Sequence, residues 1–141
     1  LPMEGGRLVR RFFELVKGDV DAAAQVDGLE DFAKALGGSL YQLQKATMLL
    51  AEKGFANPDE VGAAAVDYLR VAGHLVFGYF WARMAQVALQ KIAEGNRDPF
   101  YQAKLQTARF YFAKLFPETA SLMVTARAGS AVLMETEAVF A

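Results

Sequence analysis

Apolar residues recur along this chain at alternating intervals of three and four, the period of one helix face. The clearest run is Leu29, Phe32, Leu36, Ser39, Leu43, Ala46 and Leu50. It predicts a helix from about Gly28 to Lys53, opened by Asp27 at the N-cap with Glu30 three residues on. Gly37 and Gly38 lie in its middle, where each costs about 1 kcal/mol relative to alanine. A kink or a close helix approach is expected there. A second stripe, Tyr101, Leu105, Ala108, Phe112 and Leu115, predicts a helix over 99–116. Pro117 breaks or kinks it, and a further helical piece follows over 117–129. Near the start, Leu8, Phe12 and Leu15 share one face of a helix from about Glu4 to Lys17. A polar, alanine-rich connection over Asp19 to Val26 follows it, with room for a short helical turn.

The longest predicted helix runs from Pro58 to Glu94 and carries two apolar stripes. One is Val61, Ala65, Tyr68, Ala72, Leu75, Tyr79, Ala82 and Leu89; the other is Val66, Leu69, Gly73, Val76, Phe80, Met84 and Val87. A helix apolar on two sides is expected to be packed on two sides, which makes this the central element. Asn57 before Pro58 and Asp98 before Pro99 read as N-caps with proline at the first helical position, and Glu60 as the reciprocal member of a capping box. Gly18, Gly54, Gly95 and Gly129 fall where left-handed C-caps are expected. The tail, 130–141, is weakly patterned and expected to fray or to dock on a neighbour. No strand pattern competes with the helices. The fold expected is all-α: an antiparallel helical bundle of four to five helices with a long central helix, forming a single domain over 1–141.

Composition narrows function mainly by exclusion. Of 141 residues, 54% are hydrophobic and 22% charged, with a net charge of −1. The basic residues are scattered, so no nucleic-acid face is expected. The most apolar region, 61–89, is interrupted by Asp67, Arg70, His74 and Arg83, so no membrane span is expected. The absence of cysteine removes disulfides, thiolate metal sites and thiol nucleophiles, and fits a cytoplasmic protein. The chain opens Leu1-Pro2-Met3-Glu4, without a leading methionine or a signal-peptide pattern. It is expected to be a piece of a longer polypeptide.

Candidate chemistry is sparse. His74 is the single histidine, on one face with Asp67 and Arg70. An acid–base or metal cluster is one reading; an intrahelical polar line, with Asp67 pairing Arg70 and His74 satisfied within the bundle or at an interface, is the favoured one. A three-ligand catalytic metal site needs more donors, and a Glu-x-x-His pair is absent because Val71 stands three residues before His74. None of the three serines, Ser39, Ser121 and Ser130, sits in a nucleophile elbow, and no phosphate loop occurs. The aromatic group of Phe77, Tyr79, Phe80, Trp81, Phe100, Tyr101, Phe110, Tyr111, Phe112 and Phe116 reads as core and interface rather than as a flavin or acyl pocket. The consecutive Phe110, Tyr111 and Phe112 cannot all face one way, so an exposed apolar partner surface is expected. No catalytic, cofactor-binding or metal-binding residue is assigned.

Several segments together resemble the C-terminal domain of long bacterial acyl-CoA dehydrogenases, the subgroup that includes the methylmercaptopropionyl-CoA dehydrogenases. They are Leu1–Arg7, Asp67–Arg70 running to Trp81–Ala85, Phe100–Tyr111, Leu115–Glu118 and Arg127–Gly129. The resemblance implies a parent enzyme that uses FAD and a glutamate base to oxidise acyl-CoA thioesters to 2-enoyl-CoA and passes electrons to an electron-transferring flavoprotein. It implies that this machinery lies upstream, so that the present chain packs on the upstream domains of the same polypeptide, binds no cofactor itself and belongs to a homo-oligomer. The alternatives are a free-standing helical adaptor that holds an amphipathic partner helix in an apolar groove, and a small stand-alone enzyme using His74.

Overall fold

The computed structural model describes residues 3–135, and every regular element among them is helical. A 3-10 turn at Met3–Gly6 leads into α1 (Arg7–Ala23), followed by α2 (Glu30–Ala56) and α3 (Pro58–Ala93). Then come α4 (Pro99–Phe110), a π-helical turn (Tyr111–Leu115), α5 (Glu118–Thr125) and the short α6 (Ala131–Met134). The all-α bundle with a long central helix is therefore the architecture found.

α2 and α3 form an antiparallel hairpin joined by Asn57 alone. The pairing is fixed by contacts that run in opposite directions, from Lys53 with Glu60 to Thr47 with Tyr68. Asn57 Oδ1 accepts from the Asp59 backbone N–H at 3.1 Å, and Asp98 Oδ1 accepts from Phe100 N–H at 2.9 Å. Both predicted caps with their prolines are thus in place. Glu60 does not complete a capping box; its carboxylate turns away to Ser130. Asp27 is not a cap either. Gly28, with φ +89°, turns the chain so that fully buried Leu29 occupies the cap position, and the Glu30 carboxylate accepts from Gly28 N–H at 2.9 Å. Burial of a leucine decides this helix start, and the helix begins at Glu30.

The stripe read on α2 is buried at every position, Leu29 through Leu50. Ser39 in that stripe is buried with no hydrogen-bond partner for its Oγ among the described residues, so small size is what the position uses. Gly37 permits a close approach: a Cβ there would lie 3.3 Å from Val20 of α1.

Further expectations are corrected. On α1 the buried residues are Phe13, Val16 and Ala23, with Val20 packed beside them, while Leu8 and Leu15 are half exposed. The helix continues through Gly18 because Val20 and Ala23 have core to reach, so the loop expected over 19–26 shrinks. Gly54 is likewise helical rather than a cap; a Cβ there would meet Val61 Cγ2 at 2.5 Å, so glycine lets the hairpin close. Gly95 and Gly129 do adopt the left-handed conformation expected, at φ +86° and +87°.

Another correction concerns α3. Its buried face is built from Ala64, Val71, Leu75, Gly78, Ala82 and Ala85, residues mostly small enough to let backbones approach. Tyr68, Leu75, Tyr79 and Ala82 from the first predicted stripe belong to the core, but Val61 and Ala65 at its N-terminal end are exposed. Much of the second stripe is left uncovered among the described residues: Val66, Leu69, Phe80 and Val87 are half or more exposed, while Gly73, Val76 and Met84 are partly buried.

A further one concerns the end of the α4 stripe. Phe116 N–H donates to Tyr111 O at 2.9 Å, a bond across five residues that adds one residue to the turn. The face therefore rotates, placing Tyr111 and Phe116 in the core and leaving Leu115 45% exposed. Pro117, which has no N–H to continue the ladder, follows at once and starts α5. Of the tail, Ser130 is buried; 136–141 lie outside the described residues.

Candidate functional site

The densest polar constellation lies where α3 meets the π turn and α5. His74 Nδ1 is 3.0 Å from Tyr111 Oη, and His74 Nε2 is 2.7 Å from Glu118 Oε2. The Tyr111 hydroxyl also lies 3.1 Å from the His74 carbonyl oxygen, and Arg70 binds the other Glu118 oxygen. His74 does not share a line with Asp67 as the helix face suggested; its partners come from 37 and 44 residues away. Glu118 entered the sequence only as the residue after Pro117. That proline is the signal that could have singled it out, since it marks where a new helix turns its first residue back toward α3.

The proton count at this cluster is tight. Tyr111 has one hydroxyl proton. If it goes to the His74 carbonyl, Nδ1 must donate to the phenol and Nε2 to Glu118, and the ring carries both protons. If it goes to Nδ1, the ring is neutral with its proton on Nε2. Either way both ring nitrogens are engaged. The His74 contact, reinforced by Arg70, holds the Glu118 carboxyl below its ordinary range, and burial pushes the Tyr111 phenol up to about 12. The cluster ties helices together; neither ring nitrogen is left over to meet a substrate. His74→Ala is expected to lower the unfolding free energy by about 1–2 kcal/mol through the lost pairs, with helicity retained, as chemical denaturation followed by circular dichroism would measure.

A second lock ties the end of the chain to the start of α3. Glu60 Oε1 accepts from the Ser130 backbone N–H at 3.0 Å and from its hydroxyl at 2.6 Å, while Lys53 Nζ lies 3.3 Å from Oε2. Left-handed Gly129 brings the Ser130 N–H round to the carboxylate. The two Ser130 bonds, with Lys53 helping, lower the Glu60 pKa from 4.5 to about 2. A carboxyl depressed on folding stabilises above its unfolded pKa and loses that contribution as pH falls through the folded one. Amide protection around Ser130 is therefore expected to persist at neutral pH and to fall between about pH 4.5 and 2. Hydrogen exchange across that range checks this, and Ser130→Ala, which removes the hydroxyl bond but keeps the backbone one, should shrink the pH dependence.

The aromatic group divides in two. Phe32 and Phe112 stack at 4.4 Å, and Tyr111, Phe112 and Phe116 pack on one another with Trp81 against Tyr111, filling the space between α2, α3 and α4. Phe77, Phe80, Phe100 and Phe110 are more than half exposed. The cavities beside Glu60 and beneath Tyr79 each hold about 10 Å³, against the several hundred of a typical cofactor site. A wider apolar groove of about 250 Å³ lies open between α3 and α4, lined by Met84, Val87, Phe100, Tyr101 and Lys104. No group of three or more His, Asp or Glu side chains suited to a metal occurs among the described residues. Nor is any helix among them long and apolar enough to cross a membrane.

The chain matches the family described as acetyl-CoA dehydrogenase C-terminal like over residues 12–137. It belongs to that family. No curated protein matches it. As an acyl-CoA dehydrogenase C-terminal domain it is an accessory part of an FAD-dependent enzyme family. In this C-terminal domain the match begins inside α1 and spans every helix after it, so the helix hairpin and both polar locks are all parts of the family unit.

Proposed function

We propose that this domain is the structural and interface portion of a long acyl-CoA dehydrogenase of the methylmercaptopropionyl-CoA dehydrogenase-like subgroup. The domain packs on the upstream flavin-bearing domains of its own polypeptide and does no chemistry alone. The parent oxidises acyl-CoA thioesters to 2-enoyl-CoA with FAD as hydride acceptor, passes electrons to an electron-transferring flavoprotein and works as a cytoplasmic homo-oligomer. The single domain of 1–141 is its C-terminal unit, with no catalytic, cofactor or metal residue of its own.

One observation carries this reading: the family match covers 12–137, while the two polar clusters inside that span, around His74 and around Glu60, are engaged within the chain. The exposed apolar residues point the same way. Leu8, Leu15, Phe77, Phe80, Phe100 and Phe110 give the domain more apolar surface than a free-standing unit would keep uncovered.

The test is expression of the full-length gene beside this chain. The long protein should be yellow and should turn over one or more acyl-CoA thioesters with an artificial electron acceptor, while residues 1–141 bind no flavin and turn nothing over. Flavin or an acyl thioester held by the 141 residues alone would overturn the reading.

A further inference from the structure

We propose that the outer face of α3 is a self-pairing seam, on which a second copy of this chain lays its own α3 antiparallel. This narrows the homo-oligomer of the proposed function to one surface and one register. The face runs from Gly62 to Val87, about 39 Å at 1.5 Å per residue. At 100° per residue its centre line carries Val66, Leu69, Gly73, Val76, Phe77, Phe80, Met84 and Val87, and no charge.

The sequence of this face is self-complementary under reversal. An antiparallel copy centred between Val76 and Phe77 sets Val66 against Val87, Leu69 against Met84, and Gly73 against Phe80. Each pair then occurs twice, as a two-fold interface requires. The Gly73–Phe80 pair matches a missing side chain with a large one. Arg70 and Arg83, which the same relation would oppose, leave the seam on opposite flanks of the helix. Arg70 is held by Glu118, and Arg83 by Tyr79.

The glycines of α3 leave room for such a partner, as uncrowded Gly18 and Gly38 do on α1 and α2. Gly37, Gly54 and Gly78 each lie against a neighbouring side chain that a Cβ would crowd. Gly62 and Gly73, both on the outer face, have nothing within 4 Å of the Cβ position. A mid-helix glycine costs about 1 kcal/mol, and nothing among the described residues repays it at these two sites. A partner helix approaching from outside does.

Area is consistent as well. Val66 and Leu69 are 70% and 71% exposed, Phe77 and Phe80 61% and 53%, and Val87 52%. With Phe100 beside them, these side chains offer on the order of 700 Å² of apolar surface per copy, near the roughly 800 Å² per partner of a standard interface. The open groove between α3 and α4 stands at Met84 and Val87, where the two-fold relation brings Leu69 and Val66 of the second copy.

The chain has no cysteine, so register can be read with single introduced thiols. Val66→Cys protein mixed with Val87→Cys protein, treated with a short bis-maleimide, should give a covalent heterodimer. Either variant alone should not, because like positions lie about 31 Å apart in this arrangement. Phe80→Glu should convert the dimer seen by sedimentation equilibrium to monomer with helicity unchanged. A dimer that survives Phe80→Glu and fails to cross-link through positions 66 and 87 would overturn the seam while leaving the homo-oligomer reading intact. A wild-type chain that stays monomeric at every concentration reached would overturn both.

Discussion

Replacing Leu75 with alanine is expected to cost about 2–5 kcal/mol of unfolding free energy, a large share of the roughly 5–15 kcal/mol that a domain typically has. Leu75 is fully buried at the middle of α3, within the cluster that also holds Phe13, Val16, Leu36, Leu43, Tyr111 and Phe116. Elements on both sides of the α2–α3 hairpin contribute to that cluster, so a cavity here cannot be closed by moving one helix. Urea unfolding should show a lower midpoint with an unchanged slope, since the area exposed on unfolding is nearly the same. Met48→Ala, at a side chain 75% exposed on α2, should change little by comparison. A Leu75→Ala protein as stable as wild type would mean that the core has been assigned to the wrong face of α3.

Gly78→Val is expected to destabilise by at least about 1–3 kcal/mol, for the opposite reason. A Cβ at position 78 would fall 2.8 Å from Leu36 Cδ2 and 2.9 Å from Phe116 Cε2. The Leu36 methyl is the far end of a flexible side chain and can move. The Phe116 ring is held by Tyr111 and Phe112 and cannot follow so easily. Two further methyl groups on that Cβ would push α2 and the π turn apart. Gly38→Ala is the matching control: its Cβ meets nothing within 4 Å, and in a helix it should stabilise by about 0.4–1 kcal/mol. Thermal melts of the two variants should therefore move in opposite directions. Equal shifts of the same sign would refute the close approach at Gly78.

The contrast between these glycines shows where the sequence was legible. The stripe on α2 was read without error because it is the only continuous apolar face on that helix. The caps at Asn57 and Asp98 were read because a short polar side chain before a proline has few other uses. On α1 the apolar residues Leu8, Val9, Phe12, Phe13, Leu15 and Val16 offer more than one stripe, and periodicity alone cannot choose. The packed choice turned on Val20 meeting Gly37, a contact 17 residues apart in the chain. At the polar sites, the pattern along one helix offers Asp67 as the partner of Arg70 and the N-cap of its own helix as the partner of Glu60, and it names no partner for His74 beyond the bundle. The real partners of His74 and Glu60, namely Tyr111, Glu118 and Ser130, arrive from the far end of the chain.

By itself the sequence determined the helices, their main breaks and the all-α class, since these follow from interactions within about five residues: hydrogen-bond spacing, caps, proline and glycine. Tertiary structure alone decided which apolar side of α3 is buried. Both stripes satisfy the helical period equally. Small residues such as Ala64, Gly78 and Ala85 let α2 and its neighbours come close on one side, while Phe77, Phe80 and Leu69 remain on the other. That preference rests on how near two backbones can approach, which no local pattern encodes.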